Sequence, residues 1–139
     1  EHDGYFIKPL PDNILDLFDD VIKLDSGNPY SDSYEHWLAT HSNNASSIWT
    51  IQDGEHSGGN RETAAGWNTL GAYAYIIKPH AAVKLIDWVK DNGFLPTDWL
   101  IGTKIVSVSH HCPTIARLHP LYAKDGNIKK LSTTMNLEK

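Results

Sequence analysis

Proline at a first helical position and glycine just past a last one bracket the clearest element of this chain. Between Pro79 and Gly93, the residues Ala82, Leu85, Ile86 and Val89 recur at i, i+3, i+4 and i+7, the spacing of an apolar stripe on an α-helix. Proline is cheap at that first position because its missing N–H would have no intrahelical partner. Glycine stops a helix because it takes backbone angles closed to other residues. Immediately upstream, Ala72-Tyr73-Ala74-Tyr75-Ile76-Ile77 reads as a strand. A strand feeding a helix, with more strands on either side, places the chain in the α/β class.

The flanking segments extend this pattern. Tyr5-Phe6-Ile7 is a short apolar run closed by Lys8-Pro9-Leu10-Pro11. Ile14, Leu15 and Phe18 share a face and predict a short helix over 12–18. Val21-Ile22-Lys23-Leu24 predicts a strand ended by the turn cluster Asp25-Ser26-Gly27-Asn28-Pro29, and Ile48-Trp49-Thr50-Ile51 another strand. Residues 30–45 are polar and irregular. Residues 53–69 form a Gly-rich polar stretch that reads as one long loop, a length usually tied to function or disorder. A strand is expected over 104–109 and an extended piece over 114–118, before a polar tail at 123–139.

The 139 residues amount to one domain or part of a larger one. The opening Glu1-His2-Asp3-Gly4-Tyr5-Phe6-Ile7 reads like the end of a strand running onward, so a partial domain beginning inside a fold is expected, with a processed mature chain as the alternative. The net charge of −5 weighs against binding nucleic acid through phosphate neutralisation, though it does not exclude nucleic acid. No apolar run approaches the roughly 18 residues of a membrane span. No signal-peptide pattern opens the chain, which gives the expectation of a cytoplasmic location. One cysteine, Cys112, excludes an intrachain disulfide framework and any multi-cysteine zinc site.

Three places could carry chemistry. Glu1 and Asp3 stand two residues apart, on one face of extended backbone, and could hold a divalent cation through hard oxygen ligands; a solvated acidic terminus is the simpler account of the spacing alone. His110 and His111 project to opposite faces of a strand, so at most one enters a given site, where imidazole suits Zn, Mn or Fe. Asp98, between Pro96 and Trp99 after a loop, suits either an N-cap of a short helix 99–102 or a general base aimed into a cleft. Of the five tryptophans, Trp67 sits in the Gly-rich stretch and could stack on a ring.

In their order and spacing, three stretches resemble the family-25 glycosyltransferases, which include lipooligosaccharide and procollagen galactosyltransferases. Glu1-His2-Asp3 is similar to that family's Glu-Asp-Asp segment, residues 71–86 to its Gly-x-x-Ala-Tyr strand and following helix, and Pro96-Thr97-Asp98 to its Pro-Val-Asp. The resemblance covers about residues 1–122 and the carboxyl-proximal half of the family's domain. It implies a GT-A-like mixed sheet flanked by helices and a nucleotide-sugar donor. It implies Mn²⁺ or another divalent cation on Asp3, assisted by Glu1, and a catalytic role for Asp98 toward a saccharide or other hydroxylated acceptor. His2 replaces the middle acid of the motif, and the amino-terminal half that holds most nucleotide contacts in the family is not in this sequence. The resulting expectation is a metal-dependent glycosyltransferase, with Trp67 at the donor and His110 as a further metal ligand. The alternatives are a non-catalytic binding or accessory module on the same fold, and an unrelated metalloenzyme built on His110, His111 and a carboxylate.

Overall fold

Alternation within the strands divides the molecule into two cores. In this computed structural model, which describes residues 4–25, 48–52, 60–69, 72, 74–111 and 114–118, four short strands form a mixed central sheet. These are β2 (Val21–Lys23), β3 (Ile48–Thr50), β6 (Tyr75–Ile77) and β7 (Val108–His111), in the order β3-β7-β2-β6. β2 and β7 run parallel at its centre, with Val21 opposite Val108 and Lys23 opposite His110; β6 and β3 pair antiparallel on either side. β1 (Gly4–Phe6) and β8 (Ala116–Leu118) form a separate antiparallel pair. It is joined to the central sheet through the Leu24 carbonyl, which accepts from the amides of Ile115 and Ala116.

On one face Val21, Val108 and Ile51 pack with Ala81 and Leu85 of helix α1 (Pro79–Asn92) and with Ile101 and Val106 from the segment after it. On the other, Ile22 and Leu24 pack with Ile14, Phe18, Ile115 and Ala116. β2 is therefore covered on both faces, which is why it reads as an apolar run instead of an alternating one.

Helix α1 begins at Pro79 and ends at Gly93, whose amide donates to the Val89 carbonyl, as the sequence predicts. Its phase differs from the expected stripe. Ala81 and Leu85 are the buried positions, whereas Ile86 and Val83 are each 56% exposed. The rotation follows from polar anchors. His80 Nε2 lies 2.7 Å and Lys84 Nζ 3.0 Å from the carboxylate of Asp20, so the 80/84 stripe is tied to the amino end of β2. The adjacent 81/85 stripe then turns inward.

Local geometry differs from expectation in four other places. The helix expected over 12–18 is a single 3₁₀ turn, Ile14–Asp16; a segment so short gains few hydrogen bonds for its nucleation cost, and burial of Ile14 and Phe18 needs no full helix. β6 starts at Tyr75 and not at Ala72, because the Ala74 amide donates to the Asp25 side chain. Residues before β7 turn rather than extend: the amides of Ile105 and Val106 both donate to the Gly102 carbonyl. The long loop expected over 53–69 contains a hairpin, β4 (Asn60–Thr63) and β5 (Gly66–Thr69), while 53–59 lie outside the described residues. Gly66 closes its turn at φ +96°, a conformation other residues rarely adopt. A Cβ at Gly102 would stand 2.3 Å from the Ala65 carbonyl oxygen, so the hairpin turn can rest on this segment only because position 102 has no side chain.

Candidate active site

Along the α1-covered face, polarity changes sharply from one end of β2 to the other. Val21, Val108 and Ile77 sit level with one another at the amino end. The next inward level runs Trp49, His110, Lys23, Tyr75 across the four strands, by direct cross-strand pairing. One step further along β2 comes Asp25. Apolar pairs thus give way to ionisable ones at the carboxyl edge of the parallel pair, the edge where open α/β sheets hold their ligands.

Burial there is nearly complete. Lys23 is 1% exposed, and Asp25 and His110 are fully buried. Lys23 Nζ lies 3.9 Å from Asp25 Oδ1, and Asp25 Oδ2 accepts the Ala74 amide at 3.2 Å. The Trp49 and His110 rings pack 5.4 Å apart between centroids. Burial pushes the Lys23 amine below its ordinary range, against the pull of Asp25 and Asp98, which both favour its charged form. Burial likewise holds His110 well below the usual histidine value, with the Lys23 charge adding to the effect. His110 is therefore a neutral imidazole at neutral pH.

Asp98 is linked to this group by its charge, which favours the charged form of Lys23. It lies in the short helix α2 (Thr97–Leu100), whose neighbours Leu100 and Ile101 pack on the Val21 core. Asp98 is half-buried, less enclosed than Lys23, Asp25 or His110. The cap role open in the sequence falls away: Pro96 is the N-cap residue, and Asp98 stands inside the first turn. There its charge favours the positive end of the peptide dipoles, a modest effect for one turn.

The other end of β2 shows what a structural charge cluster looks like here. Asp20 accepts from the Ser107 amide at 2.8 Å and from Lys84 and His80. Burial alone would raise its carboxyl, but the Ser107 amide, Lys84 and His80 outweigh it and the net shift is downward. His80 and Lys84 are half-exposed, so this network staples α1 to β2 at the rim.

Of the residues expected to act, the structure brings Asp98 and His110 to one region, with Lys23 as their common neighbour. Trp67 is half-buried on β5 and packs against the same core. Glu1 and Asp3 lie outside the described residues, as do His2, Cys112 and His119. His110 has a cation, Lys23, as its cross-strand neighbour on β2, an unfavourable setting for a metal ion. Among the described residues no three His, Cys, Asp or Glu side chains are grouped to hold a metal. Lys23, Asp25, Thr63 and Asn68 were not among the expected functional positions. A lysine inside an otherwise apolar strand is the one signal that could have pointed to Lys23.

An open groove of about 450 Å³ lies elsewhere, between β1 and the β6 edge, lined by Tyr5, Phe6, Leu10, Leu24 and Ile76 among others. Its walls carry no charged side chain, so it offers shape without chemistry. Among the described residues no helix is long and apolar enough to cross a membrane. Comparison with protein-family models, curated proteins and solved structures finds no match to this chain.

Proposed function

We propose that this chain acts as a metal-dependent glycosyltransferase with a GT-A-like sheet, moving a sugar from a nucleotide-sugar donor to an acceptor hydroxyl. The observation that carries it is the half-buried Asp98 in the first turn of α2, whose charge acts on Lys23, itself buried beside Asp25 and His110 at the carboxyl edge of the parallel pair. Asp98 takes the proton of the acceptor hydroxyl as its oxygen bonds to the anomeric carbon. The bond from that carbon to the diphosphate breaks, and the nucleoside diphosphate leaves. Lys23 and Asp25 set the charge that Asp98 acts against, and neutral His110 adds bulk without competing for the proton. Glu1 and Asp3 are the residues proposed to hold Mn²⁺ or a related ion, which would neutralise the departing diphosphate.

A screen of nucleotide sugars for hydrolysis and transfer, with and without Mn²⁺, tests this. Donor turnover that needs the metal and falls in Asp98→Asn supports it; no turnover of any nucleotide sugar by the protein overturns it. One observation favours the accessory-module reading. Lys23, Asp25 and His110 are enclosed and charge-matched, as a purely structural group would be. Donor binding without turnover is its signature.

A further inference from the structure

Helix α2 is one turn long and cannot satisfy its own terminal carbonyls. The hairpin supplies the missing partners. Thr63 Oγ1 donates to the Trp99 carbonyl at 3.0 Å, sharing its proton with the Gly66 carbonyl at 3.2 Å. Asn68 Nδ2 donates to the same Trp99 carbonyl at 3.0 Å. The connection continues past the helix. The Trp67 amide donates to Thr103 Oγ1, the Thr103 amide returns to the Trp67 carbonyl, and the Lys104 amide donates to the Ala65 carbonyl, each at 3.0 Å. Residues 63–68 and 99–104 are thus bonded as one unit, with Gly102 permitting the close approach.

Asn68 is fully buried, and its orientation is fixed because a carbonyl can accept only from the amide nitrogen. That orientation leaves Asn68 Oδ1 buried with no hydrogen-bond partner among the described residues. A buried unpaired acceptor is costly, and a leucine of similar size would avoid it. What asparagine provides in return is the donor to Trp99.

From this geometry we infer that Thr63 and Asn68 are positioning residues for Asp98, holding it through the carbonyl of the next residue. The inference rests on the reading of Asp98 as the base. It ties the base to the hairpin, so displacement of the hairpin withdraws Asp98 from its working position.

Three variants of the full chain test it: Asn68→Leu, Thr63→Val and Thr63→Ser. Amide exchange at Trp99, Leu100 and Ile101 is read by NMR, and kcat and KM are measured on whichever nucleotide sugar the screen identifies. Asn68→Leu is expected to melt at or above the wild-type temperature, since it removes the unpaired acceptor. It is nevertheless expected to speed exchange in α2 about tenfold and to lower kcat about tenfold with donor KM unchanged. Thr63→Val behaves similarly in exchange and kcat, and Thr63→Ser, which keeps the hydroxyl, restores both. Unchanged α2 exchange in both Asn68→Leu and Thr63→Val overturns the positioning role, whatever the activity. Faster exchange with full kcat overturns it as well, by showing that α2 can loosen without consequence. Failure of the base reading has a different signature, full activity in Asp98→Asn.

Discussion

Lys23→Met removes the ammonium from the buried group while keeping the length and volume of the side chain. Asp25, fully buried and 3.9 Å away, is then left as a carboxylate without that counter-charge. Breaking one side of an enclosed pair costs about 3–5 kcal/mol, most of it the uncompensated partner. Against the roughly 5–15 kcal/mol that stabilises a typical domain, this is a large fraction. The second substitution is the informative one. Lys23→Met with Asp25→Asn removes both charges, and the asparagine oxygen can still accept the Ala74 amide. The double variant is expected within about 1 kcal/mol of wild type. Urea unfolding of wild type, both singles and the double gives the coupling, expected at about 2 kcal/mol or more because the double loses less than Lys23→Met alone. Losing the Lys23 charge also moves the His110 pKa upward, since that charge helps to hold it down; imidazole NMR against pH reads this in the double variant even if the single is too unstable. A single variant that loses under about 1 kcal/mol, with additive substitutions and an unmoved His110, refutes the coupled group.

Three further outcomes follow from the same structure. His110 is protonated more easily in the unfolded chain than in the fold, so stability falls as pH drops below about 6.5, and His110→Gln flattens that part of the urea-midpoint profile. Asp20→Ala leaves the Ser107 amide and Lys84 without their acceptor and is expected to cost about 2–4 kcal/mol by denaturant unfolding; because the Asp20 carboxyl is shifted downward, the charge-dependent part of this contribution is present above the ordinary aspartate range and is lost as pH falls below about 3.8. Leu85→Ala is expected to cost about 2–5 kcal/mol and Ile86→Ala under about 1, so equal losses would show the helix phase to be wrong.

Much of the architecture was legible where one residue type has one physical use. Pro79 and Gly93 fix the limits of α1, and the largely apolar runs at 21–24 and 48–51 and the extended piece at 114–118 all contribute strands. The rotation of α1 was not legible, because it is set by Asp20, sixty residues upstream of His80, and not by the stripe itself. The hairpin at 60–69 was hidden in the same way: its strands carry Asn, Arg, Glu and Thr, and its stability comes from contacts with 99–104 that no local pattern announces. In the candidate site, Asp98 and His110 could be picked out as residue types suited to chemistry. Lys23 left one trace, a lysine inside an otherwise apolar strand, and Asp25 left none, since the importance of both comes from burial near His110 on a neighbouring strand. Asn68 is invisible to sequence reasoning because a polar residue in a polar stretch carries no sign of being fully enclosed.

The proposed function turns on whether Asp98 accepts a proton. Asp98→Asn keeps the size of the side chain and, since Asp98 is not the cap of α2, disturbs no capping bond. Measured beside wild type on the nucleotide sugar and acceptor that the screen identifies, the variant is predicted to melt within a few degrees of wild type, to bind donor normally, and to lose about a hundredfold or more in kcat. An Asp98→Asn protein that transfers sugar at the wild-type rate would contradict the assignment of Asp98 as the base.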